Sequence, residues 1–411
     1  MDSATEYAKA VKKHLGSGRI FYVCRDLERA TAGLNSLVSN YHIITNNSPL
    51  AKDLEKIYPQ IDVIDEKVQL DTRELLDYPL TKKLITKKDF VVVFKNTPQI
   101  ENLCKARGWK LINPSATLAA EVEEKISQLK FLGNLKKYLP NTKIVLGKDL
   151  KWEGKKFILQ YNRAHTGTGT FLIKSKKQLE EIKTRFPNRE IRISDYIEGP
   201  FFTNNNCVWG KKTIIGNINF QITGLSPFTD NPFATVGNDW AIPNKLLTKK
   251  YLTQYKTIAK NIGKKLAAAG WKGLFGIDAV LDLKKGKIYL IEIIARQPAS
   301  TTFESQLQQM LGQNEGINIF EAHLGALLKL KDKGYPLIKI NSGAQIVQRV
   351  TDKIAKVKII NKDRMFNFIK YANNKLGSDL LRIQSLQGIM KNENQLNNFG
   401  KKIFDHIKFS R

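Results

Sequence analysis

The chain contains 411 residues, of which 42% are hydrophobic and 9% aromatic, a composition that excludes an intrinsically disordered protein and suits about two or three domains. Its 67 lysine and arginine residues outnumber its 38 aspartate and glutamate residues, which gives a formal net charge of +29 at pH 7. No apolar run approaches the roughly 18 residues that a membrane-spanning helix needs, so we expect no membrane segment.

The cysteine content indicates a reducing compartment. Only Cys24, Cys104 and Cys207 are present, an odd number without Cys-x-x-Cys spacing, which predicts neither a disulfide framework nor a zinc cluster. The first residues include Asp2 and Glu6 and no apolar stretch, so we expect no signal peptide. Together these features favour a cytoplasmic protein.

Residues 1–115 alternate short β-branched runs with helical stretches. The predicted strands are 19–24, 41–45, 61–64, 90–94 and 111–112, and the predicted helices between them are 26–38, 50–58, 72–85 and 99–107. Such alternation predicts an α/β domain with a doubly wound parallel sheet. No Gly-x-Gly-x-x-Gly motif follows the first strand, which argues against a standard dinucleotide site.

The rest of the chain predicts a two-subdomain α+β region. A long helix from 116 to about 137, capped by Ser115 or Thr117, opens a β-rich segment that extends to 190. Residues 191–330 contain more strands, an amphipathic helix at 249–269, two strands at 275–283 and 288–293, and two final helices. Residues 331–411 show a weak pattern and form a basic C-terminal extension.

The basic extension holds 17 lysine and arginine residues against 6 aspartate and glutamate residues. This excess predicts either a solvated surface or a patch that faces an acidic partner. The sequence alone leaves both interpretations open.

The segment 157–174 combines glycine, threonine and cationic residues in one loop between two strands. Glycines let a backbone approach phosphates closely, threonine hydroxyls add hydrogen-bond donors, and Arg163 and His165 add positive or donor groups. A plain glycine-containing hairpin is the alternative interpretation.

A second segment, 273–302, places two acidic residues on neighbouring predicted strands. Asp278 and Glu292 lie at equal distances from a turn near Gly286, so an antiparallel hairpin would pair them on one face. Two adjacent carboxylates repel each other unless a cation or a proton lies between them, and oxygen ligands suit Mg²⁺. The alternative is a hairpin in which lysine side chains neutralise both acids.

The order of these motifs resembles that of the ATP-grasp superfamily, over residues 19–330. A lysine in the predicted helix at 116–137 comes first, followed by strand, glycine loop and strand, a strand that ends in Glu198-Gly199, and then the acidic hairpin. GLFGIDAVLD followed by IYLIEI is the most specific part. The resemblance implies a pre-ATP-grasp domain (1–115), a linker helix and lid (116–190), and a C-terminal subdomain with the metal site (191–330).

The resemblance also implies roles for individual residues. Asp278 and Glu292 would bind Mg²⁺, and Arg296 would stabilise an acylphosphate or a substrate carboxylate. The implied ATP-binding positions are a lysine, the lid strand and its loop, and a hinge: Lys125, Gln160, Arg163, His165, Thr166, Gly167, Thr168, Gly169, Thr170, Asp195, Tyr196 and Ile197.

Two positions depart from the family pattern. Gln160 stands where a phosphate-binding lysine is usual, and Arg163 or His165 is the expected substitute. Ile294 stands where a metal-binding asparagine is usual, and we expect Gln297 or Asp282 to compensate.

The resemblance implies an ATP-dependent ligase that activates a small-molecule carboxylate as an acylphosphate and joins it to an amine or peptide acceptor. Two alternatives stay open: a nucleotide-binding pseudoenzyme or adaptor with a degenerate site, and a carboxylase-like enzyme. We also expect a homodimer.

Overall fold

A five-stranded parallel sheet forms the N-terminal region in the computed structural model, which describes residues 3–163, 169–312, 316–361, 364–371 and 373–411. Its strands run in the order β3-β2-β1-β4-β5. They are β1 (Ile20–Cys24), β2 (Tyr41–Asn46), β3 (Ile61–Ile64), β4 (Phe90–Val93) and β5 (Lys110–Leu111). The helices are α1 (Ser3–Leu15), α2 (Pro49–Leu54), α3 (Thr72–Asp77), α4 (Pro79–Leu84) and α5 (Pro98–Arg107). The predicted doubly wound parallel sheet is confirmed.

Two predicted helices of this region are wrong in detail. The segment 26–38 forms two 3₁₀ turns, Leu27–Arg29 and Thr31–Gly33, and Gly33 lies directly against the Tyr41 ring, where a β-carbon would come within 2.3 Å. The predicted helix 72–85 is divided into α3 and α4 at Tyr78. Proline disfavours helical backbone in the preceding residue, and Tyr78, which precedes Pro79, is extended with ψ of 144°.

The predicted helix from 116 to 137 is also interrupted. The structure has α6 (Ala116–Glu123), α7 (Ser127–Leu132) and a 3₁₀ helix (Gly133–Tyr138). Asn162 competes with the helical hydrogen bonds at the break, since its carbonyl accepts from the Lys125 amide at 3.1 Å and its side chain accepts from the Ile126 amide at 2.9 Å. Lys125 therefore lies in a bend between two helices.

A four-stranded antiparallel sheet, which we call the lid sheet, follows. It contains β6 (Thr142–Leu146), β7 (Phe157–Tyr161), β8 (Thr170–Ile173) and β9 (Glu190–Asp195) in the order β6-β9-β7-β8, with α8 (Lys176–Arg185) on one face. Leu159 and Ile191 pack with Leu179 of α8 in a small core. Because side chains alternate along strands, Gln160 and Arg192 point to the opposite face, where they are direct cross-strand neighbours.

The central sheet is antiparallel and carries the acidic hairpin. Its strands from this part of the chain are β10 (Phe201–Trp209), β11 (Lys212–Ile214), β12 (Ile218–Thr223), β13 (Thr235–Asp239), β14 (Gly273–Asp282) and β15 (Lys287–Ile294). The accompanying helices are α9 (Pro243–Leu246), α10 (Lys249–Ala268), α11 (Thr301–Gly312) and α12 (Ile319–Leu327). None of the described helices combines the length and the apolar character that a bilayer crossing requires.

The C-terminal residues continue the same sheet. β16 pairs with β13, so the order is β15-β14-β10-β12-β13-β16-β19-β18, with β11 paired to β10. The elements here are β16 (Ala344–Arg349), β17 (Lys356–Ile359), β18 (Asn367–Lys370), β19 (Asp379–Ser385), β20 (Met390–Asn392), β21 (Gln395–Leu396), α13 (Asn398–Lys401), α14 (Ile403–His406) and β22 (Ile407–Ser410). The weak sequence pattern beyond 333 thus conceals strands of the main sheet.

A buried ionic cluster joins these strands to the loop after β1. The Glu28 carboxylate lies 3.0 Å from the Arg29 guanidinium and 2.8 Å from that of Arg382, and it accepts a short hydrogen bond from the Tyr371 hydroxyl. Burial opposes ionisation of Glu28, but Arg29 and Arg382 outweigh it and hold the pKa of Glu28 below its usual value. The cluster therefore stabilises the contact between the N-terminal region and the C-terminal strands.

Candidate functional site

The acidic hairpin has the register that its spacing predicted. Asp278 on β14 lies directly opposite Glu292 on β15, and the register shifts by one residue immediately after Asp278. Such an irregularity bends a strand locally and is frequent next to functional sites. The two carboxylates therefore share one face of the hairpin.

Only one of the two Asp278 carboxylate oxygens has a hydrogen-bond partner within the described residues. The Gln221 amide donates to its Oδ2 at 3.3 Å, but its Oδ1 is shielded from solvent and has no hydrogen-bond partner there. Burial and the Glu292 charge raise the pKa of Asp278 to about 6. A shielded carboxylate oxygen without a donor is suited to accept a cation.

Lys125 reaches the other carboxylate. Its ammonium lies 2.6 Å from Glu292 Oε1, and its side chain is only 6% exposed. Burial opposes ionisation of Glu292, but Lys125 and then Arg296 and Arg192 hold its pKa below the usual value. The structure thus brings together the predicted lysine, both predicted metal ligands and the predicted arginine.

Arg296 is held against the N-terminal region. Its Nε lies 3.1 Å from Glu123 Oε1, and its guanidinium stacks over the Phe94 ring at 5.3 Å. The Gln297 carbonyl accepts a further hydrogen bond from Nη1 at 3.3 Å. Arg296 is therefore a fixed cation on the side of the hairpin that faces the parallel sheet.

The lid residues fall into three groups. Gln160 is buried and donates to the Thr170 hydroxyl at 3.2 Å, next to Gly169 at the start of β8. Arg163 is 80% exposed and pairs with Glu124 at 2.6 Å, so it does not replace the missing lysine in this arrangement. Four predicted loop residues lie outside the described residues: His165, Thr166, Gly167 and Thr168.

The predicted hinge begins where β9 ends. Asp195 is the last residue of that strand, and its amide donates to the Asn141 carbonyl at 3.0 Å. Tyr196 and Ile197 follow as half-buried residues, and burial together with Glu198 raises the pKa of the Tyr196 hydroxyl. The following Gly199 lies against the Leu281 carbonyl, where a β-carbon would come within 2.0 Å. The segment thus connects the lid sheet closely to the acidic hairpin.

Ile294 lies opposite Gly276 in the hairpin and is half-buried. It pairs with Gly276, and its side-chain atoms would lie 3.2 Å from a β-carbon at that glycine, which also faces Pro298. The two expected compensating residues are engaged elsewhere. Gln297 accepts from the Tyr22 hydroxyl at 2.8 Å and donates to the Arg29 carbonyl.

Asp282, the other expected substitute, lies at the hairpin turn. Its Oδ1 accepts from the Lys285 amide at 3.0 Å, and it pairs in register with Lys287. In this arrangement neither Gln297 nor Asp282 hydrogen-bonds to the carboxylate pair, so the structure does not support either of them as the substitute for the missing amide. The side-chain amide that does hydrogen-bond to Asp278 is that of Gln221.

Sequence reasoning missed Arg192. This residue is 2% exposed, and its guanidinium donates to Gln128 Oε1 at 3.2 Å and to the Ile291 carbonyl at 3.4 Å. The available signal was the alternating run EIRIS, in which Arg192 shares one face of the strand with Glu190 and Ser194, opposite Ile191 and Ile193.

The donor set fits Mg²⁺ better than a metal that needs a closed protein cage. No cluster of three histidine, cysteine, aspartate or glutamate residues suited to a metal occurs in the described part of the chain. Two opposed carboxylates, one with an unpartnered oxygen, match the way Mg²⁺ is bound by one or two carboxylates together with phosphates and water.

Comparison with known proteins finds similarity in structure alone. No family model and no curated protein sequence matches the chain. Biotin carboxylase from Campylobacter jejuni, solved as a β,γ-ATP complex, has a TM-score of 0.66 at 14% identity, over 97% of this chain and 93% of that one.

Two further structures match to a similar extent. N5-carboxyaminoimidazole synthetase from Staphylococcus aureus, solved with ADP, has a TM-score of 0.62 at 12% identity, with 95% and 96% of the two chains covered. L-amino acid ligase from Bacillus licheniformis has a TM-score of 0.61 at 13% identity, with 96% and 98% covered. At these identities the likeness concerns the fold, over nearly the whole length of each chain.

Proposed function

Because the chain has the ATP-grasp fold, we propose that it is an ATP-dependent ligase that activates a small-molecule carboxylate and joins it to an amine. The observation that carries this proposal is the arrangement of Lys125, Glu292 and Asp278 next to the lid sheet, whose Arg192 reaches the hairpin at the Ile291 carbonyl. Asp278 Oδ1 has no hydrogen-bond partner among the described residues. Structural neighbours with this fold were crystallised with ADP or an ATP analogue.

The nucleotide would lie between the polar face of the lid sheet and the acidic hairpin. Asp278 and Glu292 would hold Mg²⁺, which neutralises phosphate charge when bound. Lys125 would turn from Glu292 toward a phosphate, since a carboxylate that binds a metal no longer needs the ammonium as its main partner. Asp195, Tyr196 and Ile197 would border the base at the hinge.

The reaction would proceed in two steps, phosphoryl transfer and then acyl transfer. The substrate carboxylate attacks the γ-phosphorus of ATP, which forms an acylphosphate and releases ADP. The amine then attacks the acyl carbon, which forms an amide and releases phosphate and a proton. Arg296, fixed between Glu123 and Phe94, would stabilise negative charge on the transferred group. The lid would keep water from the acylphosphate.

A second candidate, nucleotide binding without ligation, is favoured by one observation. Ile294 lies opposite Gly276 and offers no metal ligand, and both expected substitutes for the missing amide hydrogen-bond to other groups. A site with fewer metal ligands would still bind Mg²⁺-ATP but would align the phosphates less well.

The deciding experiment measures ADP and phosphate release with Mg²⁺-ATP against a panel of amino acids, short peptides and bicarbonate. Stimulation by one carboxylate together with one amine, with formation of an amide detected by mass spectrometry, supports the ligase. Bicarbonate-dependent release identifies the carboxylase-like alternative. Saturable ATP binding without release under any condition supports the non-catalytic candidate, and absence of binding contradicts both.

A further inference from the structure

The search for functional residues beyond the proposed site leads to Arg192 on β9. Its guanidinium is buried under the lid sheet, and its Nε has no hydrogen-bond partner among the described residues. Its two observed acceptors, the Gln128 amide oxygen and the Ile291 carbonyl, are neutral and lie at 3.2 and 3.4 Å. No carboxylate of the described residues forms a salt bridge with it. A buried cation with only neutral acceptors is costly unless an anion completes its surroundings.

The position of Arg192 indicates which anion is missing. Arg192 lies directly across from Gln160, the residue that stands where a phosphate-binding lysine is usual in the fold. Both side chains occupy the polar face of the lid sheet, and Thr170, which also pairs with Gln160, lies beside them. This face therefore carries a cation on β9, directly across from position 160 on β7.

The electrostatics agree with this placement. Burial lowers the pKa of Arg192 to about 10, and the negative charge of Glu292 opposes that shift. Arg192 thus stays positively charged at neutral pH and is close enough to the acidic hairpin to be attracted by the Glu292 charge. Its planar guanidinium can donate two parallel hydrogen bonds to phosphate oxygens.

We propose that Arg192 binds the polyphosphate of the nucleotide and replaces the lysine that is absent at position 160. This inference rests on the proposed nucleotide-binding function and adds a residue that the resemblance does not supply. Gln128 and the Ile291 carbonyl position the guanidinium, and its Nε, which has no hydrogen-bond partner among the described residues, remains as a donor for a phosphate oxygen.

The test compares adenosine, ADP and ATP binding by calorimetry in the presence of Mg²⁺. Replacement of Arg192 by Met, which keeps an unbranched apolar stem but removes the guanidinium group, should weaken ADP and ATP binding by about tenfold to a hundredfold. Adenosine binding should change by less than about threefold, because adenosine carries no phosphate. Arg192→Lys, which keeps the charge but not the planar fork, should lose less affinity than Arg192→Met.

Two further variants complete the design. Gln160→Lys in the Arg192→Met background returns the cation to the usual strand and should recover most of the lost ADP affinity. Arg189→Gln is the matched control, because Arg189 is exposed and stacks on Tyr161 at the other face of the lid sheet. It should leave all three affinities unchanged.

The outcomes separate this inference from the proposed function. Wild-type protein that binds neither ADP nor ATP overturns both. Wild-type binding that Arg192→Met leaves intact overturns the role of Arg192 alone. Equal loss of adenosine and ADP binding, together with a lower melting temperature, would show that Arg192 only supports the lid sheet and would also overturn the inference.

Discussion

The Lys125 ammonium lies 2.6 Å from the Glu292 carboxylate, so the bend between α6 and α7 delivers a buried cation to the acidic hairpin. Replacement of Lys125 by Met should weaken ATP and ADP binding by about tenfold to a hundredfold, because a charged phosphate contact is lost. Calorimetric titration in the presence of Mg²⁺ measures the effect.

The control for this variant is Lys130→Met, which removes an exposed lysine from α7. It should bind both nucleotides as the wild type does. Equal affinities for wild type and Lys125→Met would mean that Lys125 serves only to neutralise Glu292.

Replacement of Glu292 by Gln tests the carboxylate pair. The amide keeps the shape of the side chain but removes one negative charge from the metal site, so turnover of ATP should fall by about a hundredfold or more. Stability should fall, because the buried Lys125 ammonium loses its charged partner, but the Gln oxygen can still accept a hydrogen bond from it, so we expect a folded protein with a lower melting temperature. Steady-state ADP release is the measurement, and Glu55→Gln at an exposed position is the control. Unchanged turnover would assign the pair a structural role.

Ile294→Asn restores the usual amide next to the hairpin carboxylates. An added oxygen ligand should lower the Mg²⁺ concentration needed for half-maximal ATP turnover. The same change replaces a half-buried apolar side chain opposite Gly276 by a polar one, so we expect a loss of about 1–3 kcal/mol in stability. A magnesium series with Ile294→Val as the apolar control separates the two effects. A variant that needs more Mg²⁺ would show that isoleucine is part of a site built around one metal ion.

The Glu28 cluster should make stability depend on pH. The folded pKa of Glu28 lies below its usual value, because Arg29 and Arg382 outweigh the effect of burial. Its stabilising contribution is therefore complete above the unfolded pKa of about 4.5 and is lost as the pH falls through the lower folded pKa. Urea unfolding from pH 3 to pH 7 measures this contribution.

Glu28→Gln should lower the free energy of unfolding by about 3 kcal/mol at pH 7 and flatten the pH dependence below about pH 4.5. Glu181→Gln, at an exposed position on α8, should change neither quantity. A Glu28→Gln protein with the acid sensitivity of the wild type would assign that sensitivity to other carboxylates.

The parts of the fold that could be predicted are those that residues close together in the sequence determine. The parallel sheet follows from alternation of strands and helices, and the opposition of Asp278 and Glu292 follows from equal spacing about a turn. The bend at Lys125 could not be predicted in this way, because the hydrogen bonds that interrupt the helix come from Asn162, far along the chain.

In the candidate site, too, some residues could be predicted from the sequence and others could not. The spacing of the acidic hairpin residues can be recognised in the sequence. The role proposed for Arg192 cannot, because it depends on the strand pairing that places Arg192 across from Gln160. The joining of β16 to β13 is likewise a long-range event, and Gln345 and Asn238 at this contact are buried polar residues that hydrogen bond to each other at 2.9 Å. An apolar periodicity cannot reveal strands whose inward side chains are amides.

The pairing of β13 with β16 has a consequence for synthesis of the chain. Gly237 pairs with Ile346, so β13 emerges from the ribosome well before the strand that covers it. The parallel sheet of the N-terminal region can form early, but the central sheet keeps an uncovered edge at β13 while residues 240–343 are being made. The hairpin that carries Asp278 and Glu292 is translated during that interval, so the two carboxylates are in place on a sheet that is still open at one side.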